Sequence, residues 1–186
     1  MKKFLAVIAA SALLFSGCGN KNSAIDQALV LREMIQQNEC SFHVDITADY
    51  GYAVHEFGMD CLADPTGKLS FTVSSPETIQ GITGTVDGTE GNLTFDDTVL
   101  SFALLADGQI TPVSAPWILI RTLRSGYIHA FTESESGYKL IIHDSYEEDS
   151  LQLDIWLDAE GLPVSAEILW QGRRILSMCV SNFSFE

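Results

Sequence analysis

From Cys40 to the C-terminus, apolar and polar residues alternate mostly with period two, whereas the segment just before Cys40 is spaced for a helix. Residues 24–38 place Ile25, Leu29, Leu31, Met34 and Ile35 mainly at helical intervals behind the polar pair Asn22-Ser23. This predicts a capped helix with those five side chains on one buried stripe. Period-two runs predict strands over residues 41–49, 53–62, 69–74, 81–86, 92–95 and 99–104. Asp64-Pro65-Thr66-Gly67, Asp87-Gly88 and Glu90-Gly91 supply the proline and positive-φ positions that intervening turns require. Ser114-Ala115-Pro116 reads as a cap and first-turn proline for a short apolar helix over residues 117–124, ending near Gly126. Five further strands follow, over 127–132, 138–144, 151–158, 164–171 and 175–183, with Asp158-Ala159-Glu160-Gly161 and Gln171-Gly172 as turns.

Short turns between consecutive strands predict an antiparallel meander. A run of about eleven strands is too long to stay open and flat, so it is expected to curl into a barrel or half-barrel, with the two helices on its concave side. The fold class is therefore mainly β (α+β), in a single domain over 24–186 without repeats or linkers. A two-residue turn at Tyr50-Gly51 would set Cys40 opposite Cys61, Phe42 opposite Met59, Val44 opposite Phe57 and Ile46 opposite His55, building one apolar face on both strands. That register allows a Cys40–Cys61 disulfide outside the cytoplasm, and two free thiols packed as small hydrophobes account for the pattern as well. Cys179 is expected in the core.

The N-terminus changes where such a domain works. Met1-Lys2-Lys3 precedes an apolar run over residues 4–15, and Phe15-Ser16-Gly17-Cys18 resembles the lipobox of bacterial lipoprotein signals. The run is about 12 residues, well short of the roughly 20 that span a bilayer. Residues 1–17 are thus expected to be removed, Cys18 to carry a diacylglycerol anchor, and residues 18–23 to form a tether on the outer side of a bacterial membrane. The five residues after Cys18, 19–23, reach at most about 18 Å, which keeps the domain close to the bilayer. About 169 residues remain, enough for one domain with a sizeable core. The formal charge of −15 becomes more negative once Lys2 and Lys3 leave. Such a chain is repelled by nucleic acid and by anionic headgroups.

Little in the sequence points to catalysis. GxSxG, SxxK, P-loop and GxGxxG patterns are absent, and His55-Glu56 is followed by Met59 where a zinc-protease helix needs its second histidine. His43, His55, His129 and His143 are scattered. Asp144, Glu147, Glu148 and Asp149 lack the spacing and glycine of a calcium loop and read as a solvated hairpin. Arg121, Arg124, Arg173 and Arg174 are read as ion-pair partners, with an anion site as the alternative. No cofactor, metal or enzymatic activity is expected. The aromatic residues are more informative: Phe42, Phe57 and Phe71 share one face of the first three strands with Val44, Ile46, Met59 and Val73, and Trp117 lies on the inserted helix. These eight would line an apolar cavity for a lipid or another hydrophobic small molecule, or they would pack as core.

Phe42-His43-Val44-Asp45-Ile46, the stretch Gly67-Lys68-Leu69-Ser70-Phe71-Thr72-Val73 with Ser75-Pro76-Glu77, and Trp156-Leu157-Asp158 with Gly161-Leu162-Pro163 resemble LolA/LolB-like lipoprotein carriers. The half-barrel of that superfamily is shared by the LppX and LprG lipoproteins and by the stress regulator RseB. The resemblance implies an incomplete barrel whose concave apolar face, lidded by helices, accepts acyl chains. It also implies two functional expectations: a membrane-anchored carrier or binder of lipid, or an envelope sensor that engages a protein partner.

Overall fold

The computed structural model describes residues 23–88, 90–95, 98–103, 105–106, 109–134, 137–147 and 150–186. The signal sequence, Cys18 and all of the tether but Ser23 lie outside the described residues. The elements are α1 (Ser23–Gln37), β1 (Cys40–Asp49), β2 (Val54–Ala63), β3 (Leu69–Ser75), β4 (Thr83–Asp87), β5 (Glu90–Phe95) and β6 (Thr98–Ala103). A small hairpin, β7 (Leu105–Ala106) and β8 (Gln109–Ile110), leads through a 3₁₀ turn, Pro112–Ser114, into α2 (Ala115–Ser125). Then come β9 (Tyr127–Ser134), β10 (Gly137–His143), β11 (Gln152–Leu157), β12 (Pro163–Trp170) and β13 (Arg173–Phe185).

Eleven strands form one antiparallel open sheet in the order β6-β5-β4-β3-β2-β1-β13-β12-β11-β10-β9. The expected single meander is in fact two. The first runs outward from β1 to β6, α2 carries the chain to the other end, and the second runs inward from β9 until β13 pairs with β1. The first and last strands of the domain therefore sit at the centre of the sheet, and β6 and β9 are its edges. The hairpin β7-β8 was not foreseen, because two residues per strand are too few to show alternation. Glu90-Gly91, expected as a turn, begins β5, and Gly81, expected to open a strand, ends the preceding turn at φ +87°.

The β1–β2 register differs from expectation by two residues. Cys40 faces Ala63, Phe42 faces Cys61, Val44 faces Met59 and Ile46 faces Phe57. Its cause is a four-residue turn: the Tyr50 N–H donates to Ala53 O, and the Gly51 N–H, at φ +85°, donates to Asp49 Oδ1 at 2.7 Å. A slip of two keeps every side chain on its face. Cys40 and Cys61 are both buried free thiols. Cys179, expected in the core, is exposed, because Met178 and Val180 take the inward positions of β13. Further along β13 a bulge at Asn182, φ +55°, lets Phe183 face inward as well, where it stacks on Phe42 at 5.3 Å between centroids.

α1 buries Ala28, Leu31 and Ile35, while Ile25, Leu29 and Met34 of the expected stripe are exposed. Ala28, too small to weigh in the periodicity, sets the contact side. α2 begins two residues earlier than expected, and Ser114 does not cap it, since its Oγ donates to Thr111 O at 2.6 Å inside the 3₁₀ turn.

Candidate functional site

α2 occupies the concave side of the sheet. Trp117, Ile118, Leu119, Ile120 and Leu123 are all buried there in one core with the inward residues of β1, β2, β3 and β13. Of the eight cavity residues expected from sequence, Phe42, Val44, Ile46, Met59, Phe71, Val73 and Trp117 are brought together in that core, and Phe57 is half-buried at its margin. The helix fills the inner part of the face. Thr122 Oγ1 is buried on α2 without a hydrogen-bond partner among the described residues, an unfavourable group inside this contact.

The turn between β2 and β3 holds the helix in place. Asp64 Oδ1 accepts the N–H groups of Thr66, Gly67 and Lys68 and the Thr66 hydroxyl. Partial burial would raise the pKa of this carboxyl, but these hydrogen bonds outweigh it and leave it below its ordinary value. The ordered turn presents two carbonyls to α2. Trp117 Nε1 donates to Gly67 O at 3.1 Å, and an Arg124 Nη donates to Pro65 O at 2.6 Å and to Ile35 O at 3.2 Å. Arg121 lies over the Trp117 ring, 5.2 Å from its centroid.

α1 closes the other end of α2. Arg32 Nε donates to Leu123 O at 2.8 Å, an Arg32 Nη donates to Gly126 O at 2.7 Å, and Gln36 Nε2 donates to Arg124 O at 2.8 Å. These donors satisfy carbonyls that a helix leaves unpaired at its C-terminus and set a cation where the dipole is negative. Burial lowers the Arg32 pKa below its usual value. The two helices thus form one unit, tied to the sheet by Trp117 and Arg124. Sequence reading singled out neither Arg32 nor Gln36. The available signal was Arg32 beside the buried stripe of Ala28, Leu31 and Ile35.

The covering stops partway across the sheet. One transverse row of register partners runs Phe42, Cys61, Phe71, Gly84, Leu93, Leu100. Its first four members are buried, Leu93 is half-buried and Leu100 is 59% exposed. Gly84 is required in this row, because a Cβ there would collide with the Phe71 ring. An apolar ramp therefore leads from the filled interior to solvent over β4, β5 and β6.

Two grooves lie away from this face. One of about 440 Å³ follows the outer side of β2 to β5, along Asp60, Leu62, Thr72, Thr83 and Thr85. The other, about 610 Å³, lies where Arg32, Gly126, Tyr127, Asp144, Tyr146 and Glu147 meet. Asp144 Oδ1 accepts the Leu151 N–H at 2.8 Å, and Glu148 and Asp149 of the same carboxylate group lie outside the described residues. The four arginines are engaged separately: Arg121 and Arg124 as above, Arg174 in an ion pair with Glu167 at 2.7 Å, and Arg173 on the β12–β13 hairpin beside Gly51. Among the described residues no helix is long and apolar enough to cross a membrane.

No family model matches the chain, and no curated protein does. Solved structures do. A DUF1329 family protein from Desulfovibrio piger is 8% identical over 89% of this chain and 92% of that one, with a TM-score of 0.50. The fold is LolA-like. A LolA superfamily protein from Nitrosomonas europaea is 10% identical over 86% of this chain and 93% of that one, with a TM-score of 0.45. The Mycobacterium tuberculosis lipoprotein LppX is 13% identical over 87% and 93%, with a TM-score of 0.42. At such identities the LolA-like likeness is one of fold.

Proposed function

We propose that this protein is a non-enzymatic bacterial envelope lipoprotein, anchored through Cys18, that binds an acyl chain or similar apolar ligand on the concave face of its LolA-like sheet. The observation that carries the reading is the row from Phe42 to Leu100: an apolar surface continuous from under α2 to the solvent, with only the inner part covered. The ligand would enter over Leu100 and Leu93 and displace α2 from Phe71, Val73, Met59, Val44 and Ile46. Each methylene buried this way contributes about 0.8 kcal/mol. Against it stand the apolar contacts of α2 and two side-chain hydrogen bonds to the β2–β3 turn, from Trp117 and Arg124. The bonds contribute about 1 kcal/mol for the neutral one and somewhat more for the charged one. The unit of α1 and α2 then acts as a lid.

A second reading has its own support. The filling of the inner part of the face by α2 suits an envelope sensor or protein-interaction module that carries no ligand. Native mass spectrometry with lipid extraction on residues 19–186, produced in a host with a cell envelope, separates the two. The carrier reading expects a stoichiometric bound lipid. A clean apo mass that does not shift on incubation with membrane lipids would overturn it and leave the interaction module.

A further inference from the structure

The groove of about 610 Å³ gathers groups of opposite charge that do not pair with one another. From α1 comes Arg32. Its Nε and one Nη cap α2, and among the described residues its other Nη has no partner and the side chain forms no ion pair. A half-buried guanidinium without a carboxylate is unexpected on a chain with 25 acidic and 10 basic side chains. From the start of β9 comes Tyr127, and from the connection between β10 and β11 come Asp144, Tyr146 and Glu147. The two tyrosine rings meet at 4.9 Å between centroids, tilted by 42°, although Tyr127 is 45% and Tyr146 85% exposed. Tyr127 is steadied by the edge of His129, whose ring packs on His143, the register partner of Tyr127. Asp144 is fixed as well, since its N–H donates to Leu151 O and its Oδ1 accepts the Leu151 N–H, which leaves Oδ2 for a ligand.

We propose that this groove binds a phosphocholine-like zwitterion, its quaternary ammonium on Tyr127 and Tyr146 beside Asp144 and Glu147 and its phosphate on Arg32. Aromatic faces next to carboxylates attract an organic ammonium through the ring quadrupole and through charge. The unpaired Nη of Arg32 is the complementary donor for a phosphate oxygen. Neither a purely cationic nor a purely anionic ligand satisfies both halves. Arg32 makes no ion pair with Asp144 or Glu147, so a ligand meeting both halves needs its charges further apart than the single carbon of a betaine allows. The excess of acid on the chain draws the ammonium end in first. The groove lies away from the concave face, and the acyl-chain reading is not needed for this.

The test is calorimetric titration of the full chain, in a maltoside detergent, with phosphocholine, choline and inorganic phosphate in turn. Phosphocholine is expected to bind saturably, and choline and phosphate each at least about tenfold more weakly. Tyr146→Ala is expected to weaken phosphocholine binding about tenfold and Glu147→Gln about threefold. Both side chains are exposed, so neither change disturbs the fold. Glycerophosphocholine and a short-chain diacyl phosphatidylcholine then distinguish the source. Tighter binding of the diacyl form, weakened by Tyr146→Ala, assigns a lipid headgroup, and equal or weaker binding assigns a soluble ligand. No saturable heat with phosphocholine, choline or phosphate alone binding as tightly, or full affinity in Tyr146→Ala would each overturn the inference.

Discussion

Three cysteines of one sheet differ in what surrounds the sulfur. Burial pushes the Cys40 thiol up to about 12, with Arg124 opposing and Glu39 adding to it. Burial raises Cys61 as well, with smaller contributions from Asp60 and Cys40. Both are therefore protonated and inert at neutral pH, whereas Cys179 faces water. Iodoacetamide is expected to label Cys179 in the folded domain, and Cys40 and Cys61 only after unfolding, with no reductant needed. A requirement for reductant would instead establish a Cys40–Cys61 bridge. On the outer face, His43 Nδ1 lies 2.7 Å from Asp60 Oδ1 and its Nε2 lies 3.6 Å from Asp45 Oδ1. The hydrogen bond to Asp60 raises the His43 pKa against partial desolvation, and Asp45 adds to the rise. A raised histidine pKa means stability that is complete below the unfolded value of about 6.5 and lost as pH climbs through the folded value. An NMR titration is expected to place His43 above 6.5, and Asp60→Asn to bring it down towards that value. An unchanged midpoint in Asp60→Asn would remove Asp60 as the cause.

At the level of elements, α2 decides how the concave face behaves. Its sequence position was legible because Pro116 and the apolar run around Trp117 are strong local signals. Its anchors were not, since Gly67 O and Pro65 O are backbone groups 50 or more residues away and leave no side-chain pattern. The same limit explains α1: helical spacing of large residues pointed to Ile25, Leu29 and Met34 along with Leu31 and Ile35, while contact is made through Leu31, Ile35 and the small Ala28. Turn geometry explains the β1–β2 slip, because Tyr50 is held by its hydroxyl donating to Ile110 O at 2.9 Å, a tie that no local sequence pattern announces. Thr122 offers a direct test of the helix–sheet contact. Thr122→Val removes a buried hydroxyl without a partner at nearly constant volume, so urea unfolding is expected to show a gain of about 1 kcal/mol. In the lid reading the same variant takes up lipid less readily, because the closed state is favoured. A loss of stability would mean that the hydroxyl has a role inside the contact.

For the molecule as a whole, eleven strands, two helices and the placement of both helices on the sheet were readable from periodicity and turn residues. The closure of β13 on β1 was not. Strand order between distant segments depends on which edges remain free after α2 crosses, and Cys40-to-Ala48 alternation fits any antiparallel neighbour. The eight side chains expected in a cavity do cluster, apart from the marginal Phe57, but they fill one another's space as core. Sequence could not separate these outcomes, because a cavity and a core call for the same apolar residues. The central claim is that an acyl chain lodges between α2 and the inner strands. It is tested most directly by photocrosslinking residues 19–186 with a diazirine-bearing fatty acid and mapping the adducts by peptide mass spectrometry. The expected result is adducts on peptides carrying Phe42, Val44, Met59, Phe71, Val73 and Trp117, competed away by unlabelled lipid. Adducts confined to the outer grooves, or none above background, would contradict it.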